Sequence, residues 1–137
     1  MTLSIHYVHQ SHAAQTWPQA EPYIAEAIQH GGGDYTLDQA KLLVNMGSWM
    51  LLVAADENKQ VQGAATVNFV NYPNDRVAFI TFIGGKLISN QDTFAQMCDI
   101  LKANGATKVQ GYARPAIARL WSRYGFEERT ALVEVKI

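Results

Sequence analysis

Long apolar runs are absent from this sequence of 137 residues. No stretch approaches the roughly 18–20 consecutive apolar residues that a membrane-spanning helix needs. The first ten residues, Met1 to Gln10, lack the apolar block of a signal peptide. These absences predict a single domain over residues 1–137 that works in the cytoplasm and has no membrane partner.

Cysteine and clustered charge are also scarce. The one cysteine, Cys98, excludes an internal disulfide, and its place on an apolar helix face favours a small core residue over a nucleophile. No cysteine or carboxylate lies at a zinc-ligand spacing from the four histidines, so no metal site is expected. The 11 basic and 12 acidic residues are interspersed, which argues against nucleic acid as a partner.

Apolar periodicity predicts a strand and two helices in the first third of the chain. Residues 3–8 alternate as a first strand. Thr16 is the expected N-cap of a first helix that ends at Gly31-Gly32-Gly33, with Pro18 and Pro22 in its first turns. Thr36 is the expected cap of a second helix, which Gly47 stops.

Three strands should follow as an antiparallel meander, at residues 49–55, 61–70 and 77–83. Turn residues separate them at Asp56-Glu57-Asn58-Lys59 and at residues 71–75.

The second half of the chain predicts alternating helices and strands. Ser89, with Asp92 completing a capping box, should open a helix that Gly105 closes. A strand at 108–113, a helix stopped by Gly125 and a last strand at 131–137 complete the order β-α-α-β-β-β-α-β-α-β. The β-α-β segment from 77 to 113 requires a right-handed crossover, so its two strands are parallel and the sheet is mixed.

One local motif and this element order together point to a family. The stretch Leu120-Trp121-Ser122-Arg123-Tyr124-Gly125-Phe126 resembles the late signature Leu-Tyr-x-x-x-Gly-Phe of the GNAT superfamily of acyl-CoA-dependent N-acyltransferases. The resemblance implies an α/β, GNAT-like acyl-CoA N-acyltransferase fold. A ferredoxin-like α+β fold is the alternative, and it would need fewer strands.

The resemblance implies transfer of an acetyl group from acetyl-CoA to an amine by direct attack. It places the pantetheine arm between two diverging parallel strands and the pyrophosphate at the start of the next helix. The family's phosphate loop corresponds here to residues 83–90, with early glycines and without the usual arginine. The expected cofactor-binding residues are Phe82, Ile83, Gly84, Gly85, Lys86, Ser89, Asn90, Arg114 and Trp121. The glycine pair has a second interpretation, as a kink that ends the strand.

The resemblance also implies a general-acid tyrosine, but Trp121 stands at that position. An indole N–H only donates and cannot act as an acid near neutral pH. Tyr124 and Tyr112 are the candidate catalytic substitutes, and both have the alternative interpretation of packing or surface aromatics.

Several functions therefore stay open. The first is an N-acetyltransferase acting on a small-molecule or protein amine, with Tyr23, Asp34, Tyr35 and Tyr72 as candidate acceptor-groove residues. The second is a catalytically degenerate GNAT-fold protein, similar to small GNAT-like proteins of tailed phages, that acts in assembly or host interaction. A CoA-binding regulator is a third, and a homodimer is compatible with each.

Overall fold

The computed structural model describes all residues from 1 to 137 and contains one five-stranded sheet with four α-helices. The elements are β1 (Ser4–Val8), α1 (Gln10–Gln29), α2 (Leu37–Asn45), β2 (Met50–Ala55), β3 (Val61–Asn71), β4 (Arg76–Gly85), α3 (Gln91–Ala103), β5 (Lys108–Gly111) and α4 (Pro115–Trp121), followed by a 3-10 turn (Ser122–Tyr124).

The sheet has the spatial order β1-β2-β3-β4-β5. Neighbours from β1 to β4 are antiparallel, which confirms the predicted meander. Strands β4 and β5 are parallel, from Val77 opposite Lys108 to Ile80 opposite Gly111, as the crossover through α3 predicted.

Helices cover both faces of the sheet because β2 and β3 bury alternate residues on opposite sides. Leu52 and Ala65 lie in a core beneath α3, which contributes Met97 and Leu101. Leu51 and Ala64 lie in a second core beneath α1 and α2. That core also holds the buried side chains Ala13, Trp17, Ala20, Ile24, Ala40 and Val44. The continuous apolar run predicted for β2 is therefore explained by burial on two faces.

Helix α1 begins earlier than predicted. It starts at Gln10, where the His9 side chain accepts a hydrogen bond from the Ser11 N–H, and Pro18 and Pro22 lie inside it. The N-cap prediction at Thr16 was wrong because it took Pro18 as a marker of the first turn. Burial of the helix face that contains Trp17 offsets the backbone bonds that the prolines cannot make.

The other caps agree with the sequence in part. Thr36 forms the predicted capping box with Gln39, and Gly47 and Gly125 adopt positive φ at helix ends. The cap of α3 is Asn90, not Ser89, and its box partner is Thr93, not Asp92. None of the helices combines the length and hydrophobicity that crossing a membrane requires.

The predicted last strand is not formed. Residues 126–137 have no regular secondary structure, and Leu132, Val133 and Val135 are exposed. A strand needs a hydrogen-bonded neighbour, and alternation alone does not supply one. Strand β5 is also shorter than predicted and ends at Gly111 instead of Ala113.

Candidate functional site

Strands β4 and β5 part in the middle of β4. Their pairing stops at Ile80 and Gly111, whereas β4 continues to Gly85 with only β3 beside it. The backbone edge of Thr81–Gly85 that faces away from β3 therefore has no strand partner. We call the gap between this edge and the chain after Gly111 the β4–β5 cleft.

A β-bulge lies where the two strands part. Thr66 pairs with Phe82 and Val67 with Ile80, so Thr81 is the extra residue. The Thr81 hydroxyl donates to the Thr66 carbonyl oxygen at 3.0 Å and lies 2.6 Å from the Thr66 hydroxyl. A bulge bends its strand and increases the local twist, which directs the rest of β4 away from β5.

Gly84 and Gly85 bring the end of β4 against helix α1. A Cβ on Gly84 would collide with the backbone of Tyr23, and Gly85 has φ of +65° with the Tyr23 ring beside it. The Tyr23 hydroxyl donates to the Val61 carbonyl oxygen at 3.0 Å, which holds the ring in place. Packing thus gives both glycines a structural role, whether or not a phosphate group binds beside them.

The connection between β4 and α3 has both used and unused backbone amides. Lys86 N–H donates to the Gln62 carbonyl oxygen, and the amides of Ser89 and Asn90 both donate to the Thr93 hydroxyl. The amides of Leu87 and Ile88 donate to no protein acceptor. Of the predicted phosphate contacts, those through Ser89 and Asn90 amides are therefore already satisfied within the cap.

Phe82 and Ile83 point to opposite faces of the sheet. Ile83 packs on the core beneath α3, and Phe82 packs on the core beneath α1 and α2. There Phe82 lies near Tyr35 and Trp49, whose ring centroids are each 6.2 Å from its own. This aromatic cluster lies at the α1–α2 side of the cleft, and of the predicted acceptor residues it contains only Tyr35.

Aromatic residues from α4 and the chain that follows it pack on the α3 side of the cleft. Trp121 is 7% exposed and lies 3.9 Å from where a Cβ on Gly111 would be. Tyr124 stacks on Phe94 of α3 with centroids 5.2 Å apart, and Phe126 contacts both Phe94 and Trp121. Trp121 thus occupies space beside the diverging end of β5.

The two candidate catalytic tyrosines lie on opposite faces of the sheet. Tyr124 lies on the α3 face through its contact with Phe94. Tyr112 follows the last paired residue of β5, is 69% exposed, and has its ring centroid 5.1 Å from that of Phe79. Phe79 alternates with the α3-side residues Ala78 and Ile80, so Tyr112 lies on the α1–α2 face.

Two further predicted residues lie in the chain segments that follow β5 and β4. Arg114 is the exposed N-cap residue of α4 and makes no capping hydrogen bond. Lys86 is exposed at the start of the β4–α3 connection. Both side chains are cationic, and neither forms an ion pair.

Cys98 lies partly buried on α3, against the core on that face. Burial raises the pKa of its thiol, which favours the neutral form at physiological pH. This environment agrees with a packing role and gives the thiol no activation.

Sequence reasoning missed the polar residues that shape the cleft. Thr66 and Thr81 form the hydroxyl pair at the bulge, and Thr93 binds two amides of the connection. The available signal was a lone threonine in each of two apolar strands. It was too weak to locate a bulge, because a bulge depends on the register between strands.

No protein-family model and no curated protein matches the sequence. Solved structures match it in fold. An aminoglycoside acetyltransferase from an uncultured soil metagenomic sample, in complex with sisomicin, is 15% identical, with a TM-score of 0.69 over 98% of this chain and 96% of that chain. An acetyltransferase from Trypanosoma brucei is 11% identical, with a TM-score of 0.61 over 99% and 100% of the two chains. An integron cassette protein from V. cholerae is 11% identical, with a TM-score of 0.64 over 100% and 93%. The chain therefore has the mixed α/β fold of the GNAT-type acetyltransferases.

Proposed function

We propose that this protein is an N-acyltransferase that takes an acyl group from acetyl-CoA and passes it to an amine. The observation behind the proposal is the β4–β5 cleft, which opens at Thr81 beside an unpaired strand edge. A pantetheine arm has amide groups that can pair with such an edge as a short strand would. Acetyl-CoA, when bound, would supply the activated thioester.

The residues around the cleft fit a phosphorylated carrier in part. The free amide of the partly exposed Ile88 lies before the start of α3, and Lys86 adds a cation there. Asp92 works against anion binding because its carboxylate lies in the first turn of the same helix. We therefore assign pyrophosphate binding to Lys86 and the Ile88 amide, in preference to the capped amides of Ser89 and Asn90, since Leu87 is fully buried.

Tyr112 is the better placed of the two candidate acids. Its side chain is mostly exposed directly after the last paired residue of β5, whereas the ring of Tyr124 stacks on Phe94. In the proposed reaction the amine nitrogen would bond to the thioester carbonyl carbon as the C–S bond breaks, and Tyr112 would donate a proton to the departing thiolate sulfur. The proton lost by the attacking nitrogen would pass to solvent, from which the tyrosine would be reprotonated. The aminoglycoside acetyltransferase among the similar structures suggests a small polyamine or amino sugar as the acceptor.

Thermal unfolding with millimolar acetyl-CoA tests the proposal. Binding at about 100 times the dissociation constant stabilises a protein by about 2.7 kcal/mol, which raises the Tm of a domain of this size by several degrees. Lys86→Glu should reduce the shift, and Lys41→Glu, an exposed lysine on α2, should not. An unchanged Tm in the wild-type protein would reject the proposal.

One observation favours a second candidate, a GNAT-fold protein that binds partners without acyl transfer. Trp121 replaces the family's tyrosine and is buried beside Gly111, where it narrows the cleft. A similarity to phage proteins would then point to assembly or host interaction. Release of free thiol from acetyl-CoA in the presence of an amine panel separates the candidates, because only the enzyme produces it.

A further inference from the structure

A cavity of about 170 Å³ lies at the end of the sheet opposite the β4–β5 cleft. The end of β1 and the starts of α1, β2 and β4 surround it, together with residues that follow α2 and α3. Strand β4 begins at this cavity with Arg76, and the cleft opens at Thr81, which is roughly 16 Å further along the strand. The cavity is therefore a separate site, and what binds there does not depend on the proposed acyl transfer.

Most of the cavity is apolar. Its lining includes the hydrophobic residues Val8, Val44, Met50, Leu51 and Phe69. Because these residues offer no side-chain hydrogen bond, an apolar group is stabilised there better than water is. An engineered apolar cavity of about 150 Å³ binds benzene, so this cavity has room for an apolar body of about six carbon atoms.

Arg76 supplies the charge in the lining of this cavity. Tyr7 is the one other ionisable residue that lines it, and no aspartate or glutamate does so. The neighbouring carboxylate of Asp75 forms its salt bridge with Lys108, so Arg76 has no carboxylate partner within the chain. A cation without a counter-ion in the wall of an otherwise uncharged cavity favours an anionic ligand.

Contacts with three residues hold the Arg76 guanidinium in place. Nε donates to the Asn104 carbonyl oxygen at 3.0 Å, and Nη1 donates to Oδ1 of Asn71 at 2.9 Å. The guanidinium carbon lies 4.4 Å from the centre of the Phe69 ring, a favourable cation–π contact. The remaining N–H groups of Nη1 and Nη2 have no protein acceptor. A guanidinium that is already positioned in this way matches the two oxygens of a carboxylate.

We propose that this cavity binds a small monocarboxylate whose apolar body is about the size of a benzene ring. The carboxylate accepts hydrogen bonds from Nη1 and Nη2 of Arg76, and the apolar body contacts Met50 and Phe69. A second charge on the ligand would be desolvated without a partner, because the lining contains no further ion. For a ligand of this size with one ion pair, we expect a dissociation constant of about 0.1–1 mM.

Benzoate is the probe for the full chain, with benzamide and acetate as controls. Benzamide has the ring without the charge, and acetate has the charge without the ring. Titration with benzoate to about 10 mM should shift the backbone amide NMR signals of Met50, Phe69 and Arg76, and each control should bind at least about tenfold more weakly. Wild-type signals that do not move, or benzoate shifts confined to Lys86 and its neighbours in the cleft, overturn the proposal. So does a control that binds as tightly as benzoate.

Variants separate the ion pair from the apolar contact. Arg76→Gln should weaken benzoate binding at least about tenfold, whereas Arg123→Gln, which removes the same charge from an exposed site after α4, should change it less than about threefold. An Arg76→Gln protein that binds benzoate as tightly as wild type overturns the proposal.

A second variant does not touch the hydrogen bonds of Arg76. Met50→Ala enlarges the apolar part of the cavity and keeps the guanidinium. It should raise the affinity for 2-naphthoate relative to benzoate at least about fivefold, because the larger ring system then has room. An unchanged ratio in a folded Met50→Ala protein would mean that the acid does not enter this cavity, and the proposal would be wrong.

Discussion

Gly84 has a clear structural role at the residue scale. A Cβ there would collide with the backbone of Tyr23 on α1, although the φ of Gly84 is not positive. We expect Gly84→Ala to lower the free energy of unfolding by about 1–3 kcal/mol, because neither backbone can move aside without disturbing the sheet or the helix. Urea unfolding of the two proteins measures the difference.

Gly32→Ala is the control for that prediction. Its nearest new neighbour is the Asp34 carboxylate at 3.9 Å, so its effect should stay within about 0.5 kcal/mol. If Gly84→Ala were as stable as Gly32→Ala, the contact between β4 and α1 would be looser than the structure has it. Phosphate binding would then be the only remaining explanation for Gly84 and Gly85.

Individual residues differ in how much the sequence revealed about them. Gly125 was predicted as a left-handed helix stop, and it has φ of +96°. That prediction depends only on the local backbone conformation, which the neighbouring residues determine. Thr81 was assigned to a regular strand, because a bulge is defined by the register of β4 on β3, which no short stretch encodes.

At the element scale, the start of α3 depends on one buried hydroxyl. Thr93 is 1% exposed; its hydroxyl accepts hydrogen bonds from the amides of Ser89 and Asn90 and donates to the Asn90 carbonyl oxygen. Thr93→Val keeps the shape but leaves two amides without an acceptor. We expect a loss of about 1–3 kcal/mol in the free energy of unfolding, measured by urea titration.

Thr93→Ser provides the comparison, since it retains the hydroxyl and removes only a methyl group. It should cost about 0.8 kcal/mol, less than the valine variant. Equal losses in the two variants would mean that methyl packing, and not the cap, stabilises this end of the helix.

The same cap explains an error of sequence interpretation. Ser89 followed by Asp92 has the spacing of a capping box, but so does Asn90 followed by Thr93. Burial of Leu87 beneath α3 fixes which register forms, and burial is a tertiary property. The prediction of a last strand was wrong for a related reason. Residues 131–137 have the right alternation, but a strand forms only where another backbone pairs with it.

At the scale of the whole molecule, carboxylates in the turns hold both edges of the sheet. Glu57 accepts a hydrogen bond from the Thr2 N–H beside β1, and Asp75 forms a salt bridge with Lys108 of β5 at 3.1 Å. The structure lowers the pKa of both groups, through the Thr2 amide for Glu57 and through Lys108 first for Asp75. Stability should therefore depend on pH in the acidic range.

The sign follows from the direction of the Asp75 shift. Its pKa is below 3.8 in the folded protein and near 3.8 in the unfolded chain, so its stabilising contribution is complete above 3.8. As the pH falls, the unfolded state takes up the proton first, and the contribution disappears as the pH passes through the folded pKa. The Tm should accordingly decline below about pH 4.

Asp75→Asn isolates this contribution. The variant should have a lower Tm than wild type at pH 7 and a shallower decline below about pH 4, because it has no carboxylate to protonate at this site. Asp99→Asn, an exposed position on α3 without a hydrogen bond or ion pair, should follow the wild-type curve. Tm values from pH 2 to 7 give both slopes. An Asp75→Asn protein that loses stability as steeply as wild type would show that the attachment of β5 does not depend on this charge.

Amide exchange in β5 adds a local test of the same contact. Release of Lys108 from Asp75 at low pH should raise the exchange rate of the β5 amides first. The β3 amides should respond later, because β3 is paired with β2 on one side and with β4 on the other.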